Sequence, residues 1–324
     1  HTVSFVVWDP PTRHAASIDP VLDYDHRTGR VSHRSADDLL GFVADQGLSV
    51  DWVLETHAHA DHLSAAPYLK EKTGAPIGIG ARITEVQRTF APVFGLDDVS
   101  GDGREFDRLF RDGETIAIGG LQVEVMHTPG HTPACVSYRI GEAVFVGDTL
   151  FMPDYGTARA DFPGGDARTL YRSIHRLLAL PDATRLYLCH DYKAPGRDHF
   201  AWETTVGEEK TRNIHVGGGV DETSFVAMRE ARDATLAAPV LLLPSLQVNI
   251  RAGALPPASP ARPTPRQRRD APPHRCLGHG PGHRHRLEAV LEQVLAVVPV
   301  VGRQGHELGA VHDRAAAPGE QEVD

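Results

Sequence analysis

Three imidazoles and a carboxylate crowd the stretch Thr56-His57-Ala58-His59-Ala60-Asp61-His62, directly after the apolar run Trp52-Val53-Leu54. On an extended segment alternate residues point the same way, so His57 and His59 can reach one common point. Asp61 and His62 then turn toward a neighbouring point as the chain leaves the strand. Imidazole and carboxylate donors together suit zinc, iron or manganese, and the cluster can begin one metal site or two adjacent ones. Further donors recur later: His131 in HTPGHT at 127–132, Asp148 in Gly147-Asp148-Thr149, and His190 in Cys189-His190-Asp191-Tyr192. Alone, His131 or His190 reads most simply as a structural histidine with a satisfied ring. Beside HxHxDH, each becomes a candidate ligand.

Separate loops must converge for this chemistry, and the pattern supplies strands to carry them. Val3 to Trp8, Ala15 to Ile18, Trp52 to Leu54 and Pro76 to Ile79 read as strands. Between them fall a helix opening near Ser35, its expected N-cap, and closing at Gly47, and a second helix over Leu63 to Lys72. Arg82 to Phe94 is a third helix, and the Gly- and Asp-rich stretch Gly95 to Arg104 reads as a mobile loop. From Ile116 the pattern changes to short strands: Ile116–Ile118, Leu121–Met126, Val136–Ile140 and Ala143–Val146. The pairs Gly119-Gly120 and Gly141-Glu142 imply hairpins. Asp166 to Leu180 is an amphipathic helix and Arg185 to Cys189 a strand delivering His190. Helices are expected at Glu203–Arg212 and Glu222–Leu236, and a strand at Val240–Leu243. Strands and helices followed by strands and helices again predict two sheets packed face to face with helices outside, an α/β architecture.

The bulk properties exclude more than they assign. The chain has 324 residues, 41% hydrophobic and 23% charged, with net charge −10. That charge argues against nucleic acid as the main partner, because phosphate binding needs clustered Lys and Arg. No run approaches the roughly 20 apolar residues of a membrane-spanning helix. Three cysteines (Cys135, Cys189, Cys276) without CxxC spacing point to a reducing compartment, and no secretory pattern opens the sequence, so a cytoplasmic setting is expected. Residues 1–255 read as one catalytic domain. The segment 256–324 is Pro-, Arg- and His-rich and lacks Lys, Phe, Tyr and Trp. Its composition predicts disorder or poor packing, with only Leu287 to Val301 apolar enough for a helix. His279, His283 and His285 there could bind metal adventitiously.

Taken together, THAHADHLSAAPYLK at 56–70, HTPGHTPAC at 127–135, GDTLF at 147–151, GTARADFPGGDARTLYRSIHRL at 156–177 and CHDY at 189–192 resemble the metallo-β-lactamase superfamily. The resemblance spans about Val3 to Gly253. Within the superfamily the chain is most similar to the persulfide dioxygenases, the sulfur dioxygenase branch beside glyoxalase II. The segment Ala158-Arg159-Ala160-Asp161-Phe162 sets it apart from glyoxalase II. The resemblance implies a four-layer αββα sandwich. It places one Fe(II) per chain on His57, His131 and Asp148, the two-histidine, one-carboxylate set of non-haem Fe(II) oxygenases. His59 is counted with the metal-side residues; Asp61, His62 and His190 are the catalytic candidates that orient ligands and hold water. In glyoxalase II-like relatives these residues bind a second metal, so one or two zinc ions are the alternative.

The resemblance further implies glutathione persulfide and O2 as reactants, with sulfite and glutathione as products. Arg159 and Tyr192 fall where related enzymes contact glutathione, and Arg251 is a further candidate for its carboxylates. Asp161 is expected to pair with Arg159. Cys135 and Cys189 read as buried small hydrophobes and not as nucleophiles. The alternative function is a binuclear-metal thioester hydrolase of the glyoxalase II type, in which a metal-activated water attacks the substrate. A metal- or sulfur-binding sensor is a third reading without a DNA-reading element to support it. A homodimer stays open.

Overall fold

The computed structural model describes residues 2–256 and 296–302. In chain order the first half contains β1 (Thr2–Trp8), β2 (His14–Ile18), β3 (Val21–Asp25), β4 (Arg30–Ser32), α1 (Arg34–Asp45), β5 (Ser49–Leu54), β6 (Leu63–Ser64), α2 (Ala66–Thr73), β7 (Ile77–Gly80), α3 (Ile83–Phe94) and β8 (Arg108–Phe110). The second half contains β9 (Thr115–Ile118), β10 (Leu121–His127), β11 (Val136–Ile140), β12 (Ala143–Phe145), α4 (Ala167–Leu178), β13 (Arg185–Tyr187), β14 (Glu203–Thr205), α5 (Val206–Arg212), α6 (Glu222–Asp233) and α7 (Leu242–Asn249), with β15 (Ala296–Gly302) beyond.

Strands apolar on both faces must be covered on both faces. In β1, Val3, Phe5 and Val7 point between the sheets, where they meet Val123, Val125, Tyr138 and Phe145 of the second sheet. Val6 of the same strand points the other way, into a core with Leu39, Leu69, Val86 and Leu246 from α1, α2, α3 and α7. The second sheet repeats the device. Phe145 and Tyr187 face inward, while Val144, Leu186 and Leu188 pack under Leu170, Ile174, Val206 and Phe225 of α4, α5 and α6. The result is the expected four-layer αββα sandwich. The first sheet runs β15-β1-β2-β5-β7-β8 and the second β14-β13-β12-β11-β10-β9. In the first, β2, β5, β7 and β8 are parallel neighbours; in the second, only β12 and β13 are. A small sheet, β4-β3-β6, lies apart.

Several local expectations need correction. Ser35 does not cap α1; it lies inside the first turn, and its N–H and hydroxyl donate to Asp23 at 2.8 and 2.7 Å. A carboxylate from β3 thus satisfies the helix start from outside. Leu63-Ser64 is a short strand, so α2 begins at Ala66. The Gly95–Arg104 loop is tied down by buried Gln87, which accepts from Gly103 N–H at 2.9 Å and donates to Glu105 at 2.7 Å. Glu203–Thr205 is a strand, after which Thr205 caps α5 by accepting from Glu208 N–H. Val240–Leu243 is not a strand: α7 begins at Leu242, and Pro244 sits in its first turn, where a missing N–H costs nothing. In the C-terminal segment, Ala296–Gly302 is a strand antiparallel to β1, from Thr2↔Gly302 to Trp8↔Ala296, where a helix through Val301 was expected. Its run of valines favours extended chain, and Pro299 is tolerated at a sheet edge. Cys276, His279, His283 and His285 lie outside the described residues.

Candidate metal centre

Four strand ends deliver the donors to one place. β5 leads into the histidine loop, the β10–β11 connection carries His131, β12 hands over to Asp148, and β13 leads to His190. Asp166, the N-cap of α4, accepts from Thr169 N–H, a cap worth about 1 kcal/mol. Its own N–H donates to Gly130 C=O at 2.9 Å, which ties the His131 loop to that helix. Gly130 is required there: at φ +132° a Cβ would meet the Leu170 backbone at 2.3 Å.

His57, His131 and Asp148 bring one ligand atom each to within 4.8 Å of one another. The two Nε2 atoms stand 3.8 and 3.6 Å from the same Asp148 oxygen. One ion with bonds of about 2 Å can span them. His59, Asp61, His62 and His190 form a second such group. His190 Nε2 lies 3.3 Å from Asp61 and 3.3 Å from the other Asp148 oxygen, so Asp148 stands between the groups.

The Nε2 atoms of His57, His62 and His190 and Nδ1 of His59 are buried without a hydrogen-bond partner among the described residues. Each such atom costs about 1–3 kcal/mol. His57 Nε2 belongs to the first group and the other three nitrogens to the second, so orphaned nitrogens beside Asp148 and Asp61 fit a cation at either place. The centre therefore suits a metal.

The outer nitrogens are braced by residues outside the motif. Asp19 accepts from Thr56 N–H at 2.7 Å and from its hydroxyl at 2.8 Å. With its proton spent on Asp19, the Thr56 oxygen accepts from His57 Nδ1 at 3.0 Å, leaving Nε2 with a free lone pair. His131 Nδ1 donates to the Arg159 carbonyl at 2.8 Å, with the same consequence. His59 differs, for its Nε2 faces Asp19 at 3.1 Å and Glu55 at 3.3 Å. Burial and the neighbouring imidazoles push His57 well down, and burial with His59 brings His62 to about 4, so both are neutral. Burial opposes a charge on His59 too, yet Asp19 and Glu55 outweigh it and push His59 well up. Burial likewise opposes a charged Asp19, but His59 and the Thr56 donors hold it low, while burial pushes Glu55 up.

Asp19, Glu55 and Asn249 were missed from sequence. Asp19 was read only as a strand stop; it adopts φ +50°, a conformation uncommon outside glycine. Asn249 staples the histidine loop by donating to the His59 and His62 carbonyls, both at 2.8 Å, and accepting from Ser64 N–H at 2.9 Å. Cys189 and Cys135 are buried thiols, as expected: burial pushes Cys135 up to about 12 and Cys189 well above its usual value. Cys189 donates to Asp148 at 2.7 Å.

A cavity of about 510 Å³ opens over His62, His131, Asp148 and His190 and includes Arg159 and Tyr192 in its walls. Tyr192 is half-exposed and stacks on Tyr155 with ring centres 4.9 Å apart. Asp161 pairs with Arg159 as expected, at 2.6 and 2.7 Å, and a third Arg159 N–H donates to Ala237 C=O at 2.7 Å. Arg251 is not in the wall. It is buried, bound to Asp98 at 2.9 and 2.5 Å and to Gln247 C=O at 2.7 Å, because the end of α7 faces the 95–104 loop.

A family model described as the metallo-beta-lactamase superfamily matches residues 8–190. The chain belongs to that superfamily. Within it, the chain is 55% identical over 266 residues to a Burkholderia pseudomallei protein named probable metallo-hydrolase, covering 79% of this chain and 90% of the relative. It is 49% identical over 261 residues to Glyoxylase B2 of Dictyostelium discoideum, covering 79% and 88%. The mouse persulfide dioxygenase ETHE1 is 29% identical over 215 residues, covering 65% and 70%. The chain spans 59% of the length of other superfamily relatives named beta-lactamase hydrolase-like protein. Among solved structures, ETHE1 from Myxococcus xanthus superimposes with a TM-score of 0.62 at 32% identity, covering 78% of this chain and 95% of that one. Among the described residues no helix is long and apolar enough to cross a membrane.

Proposed function

We propose that this chain is an iron-dependent persulfide dioxygenase that converts glutathione persulfide, O2 and water to glutathione and sulfite. The observation that carries the proposal is the His57/His131/Asp148 group, whose two imidazoles are braced by neutral acceptors and whose third donor is a single carboxylate facing the cavity. The 32% identity to the Myxococcus protein and the likeness to the mouse persulfide dioxygenase support it.

Fe(II) held by these three residues would supply O2 activation and a seat for the persulfide sulfur. The chain's own residues do the rest. Thr56 and the Arg159 carbonyl keep His57 and His131 in the ligating tautomer. Cys189 occupies one Asp148 oxygen, which favours a carboxylate that serves one ion. Asp61 and His190, 3.3 Å apart, stand where a proton can be held as the sulfur product takes up water. The balance closes as GSSH + O2 + H2O → GSH + SO3²⁻ + 2 H⁺, the sulfane sulfur losing the four electrons that dioxygen gains. Free buried Cys135 and Cys189 suit a reducing, cytoplasmic setting.

The test is oxygen uptake and sulfite formation by iron-loaded protein given glutathione persulfide, with His57→Ala as control. Uptake that vanishes in the variant supports the reading; none from protein with a full iron site rejects it. One observation favours a second reading, a two-metal thioester hydrolase. His59, Asp61, His62 and His190 make a second donor group, in which His59 would ligate through Nδ1 on giving up the proton that Asp19 and Glu55 favour, and one relative is named Glyoxylase B2. A metal count near two with thioester turnover would select it.

A further inference from the structure

We propose that Arg232, in the last turn of α6, is the cation that anchors a carboxylate of the thiol substrate. The inference deepens the glutathione persulfide reading and rests on it for the identity of the substrate.

Three guanidinium groups line the cavity: Arg159, Arg229 and Arg232. Two are already committed. Arg159 is clamped by both oxygens of Asp161 and by Ala237 C=O. Arg229 is buried, donates to Asp233 at 3.0 and 2.6 Å, and reaches Thr157 C=O at 3.2 Å. Each of these pairs is internally neutral, so a substrate carboxylate would have to displace Asp161 or Asp233 to gain from either. Arg232 is exposed, and among the described residues no carboxylate pairs with it. Among the described residues it is the one arginine of the wall without an acid partner.

The rest of the wall fits the body of such a ligand. Leu236 and Val240, 40% and 77% exposed, follow Arg232 in the chain and face into the same cavity. Tyr155 and Tyr192 supply an aromatic wall, and His62, His131, Asp148 and His190 line the same cavity. An exposed Leu and Val beside an unpaired Arg match a thiol carrier with an apolar or peptide body and an anionic end. Its sulfur would point to the metal. At about 510 Å³ the cavity lies within the usual range of small-ligand sites, about 300–1,000 Å³. An Arg–carboxylate contact can be bidentate, which adds direction to charge.

The experiment uses S-methylglutathione, an unreactive thioether, titrated calorimetrically into metal-loaded wild type, Arg232→Ala, Arg232→Lys and, as a charge control remote from the cavity, Arg104→Ala. Arg232→Ala should bind about tenfold more weakly, Arg232→Lys should recover part of the loss, and Arg104→Ala should match wild type. Glutathione diethyl ester, lacking both carboxylates, should bind wild type and Arg232→Ala alike. In turnover, Arg232→Ala should raise KM more than it lowers kcat. Equal S-methylglutathione affinity in wild type and Arg232→Ala, or no binding to wild type, overturns the anchor. Arg232-dependent binding without oxygen uptake keeps the anchor and rejects the dioxygenase. Oxygen uptake without Arg232 dependence does the reverse.

Discussion

The two donor groups of the centre share Asp148 but are braced in opposite ways. His57 and His131 lean on a hydroxyl and a carbonyl, while His59 leans on the carboxylates of Asp19 and Glu55. A neutral acceptor fixes a tautomer and leaves the imidazole neutral with a lone pair presented inward. Buried carboxylates instead draw a proton onto the ring. His57 and His59, two residues apart in one motif, are thereby given different chemistry by residues the motif does not contain.

The sharpest way to break this contrast is to remove one donor from each side. His131→Ala should abolish stoichiometric metal binding and lower turnover by at least about 10³-fold, since a ligand and its preset tautomer go together. His59→Ala should cost less, about 10–100-fold in metal affinity, the scale of a supporting residue. Metal content by mass spectrometry after dialysis checks both. If His59→Ala empties the centre as completely as His131→Ala, the two sides are equivalent and the distinction falls.

Asp19→Asn sharpens the contrast from the bracing side. Asp19 accepts from Thr56 N–H and meets His59 through one oxygen, and accepts the Thr56 hydroxyl through the other. An amide keeps the shape but offers one acceptor oxygen and no charge. Losing the Asp19 charge leaves His59 with Glu55 alone, a carboxyl that burial pushes up, and should destabilise the fold by about 3 kcal/mol. Denaturant unfolding of the metal-free protein would show it; an unchanged midpoint would mean that His59 carries no charge there.

Away from the centre, Glu209 shows the same physics without a partner cation. Burial pushes this carboxyl up to about 8, and one of its oxygens has no hydrogen-bond partner among the described residues. The folded state therefore holds a proton that the unfolded chain releases near 4.5. That difference favours folding below pH 4.5, and the advantage is lost as pH rises through 8. Glu209→Gln should flatten this loss and raise Tm by about 5 °C at pH 8 while changing little at pH 5. Equal Tm gains at both pH values would argue against a proton held on Glu209.

The donors were legible because metal chemistry needs particular residue types at fixed spacing after strands, and HxHxDH, His131, Asp148 and His190 satisfy it in the open. The layers were legible from strands apolar on both faces. The bracing was not. Asp19 acts through a left-handed backbone and contacts in a loop starting 36 residues later, and Asn249 acts on carbonyls of a loop 190 residues earlier in the chain. Neither leaves a periodic or local trace. Val240–Leu243 misled because four aliphatic-rich residues fit a strand as well as a helix start, and only Pro244 at the third helical position separates them. Arg232 was absorbed into a helical stretch, since a sequence does not show which of several arginines already has an acid.

The smallest expected effect bears on which arginines belong to the cavity. Arg251 follows the C-cap of α7 and holds Asp98, a carboxylate 46% exposed, so the ion pair is screened on one side. Arg251→Ala should lower stability by about 1 kcal/mol, or about 2–4 °C in Tm, with no change in KM. A guanidinium placed for substrate would give the reverse: an altered KM and an unaltered Tm. The two readings thus separate on a pair of routine measurements, and the burial of Arg251 favours the structural one. Loop 95–104 should be cleaved by protease faster in this variant than in wild type, because the Arg251–Asp98 pair ties it to α7 beside the Gln87 contacts. An unaltered cleavage pattern together with a raised KM would return Arg251 to the substrate side.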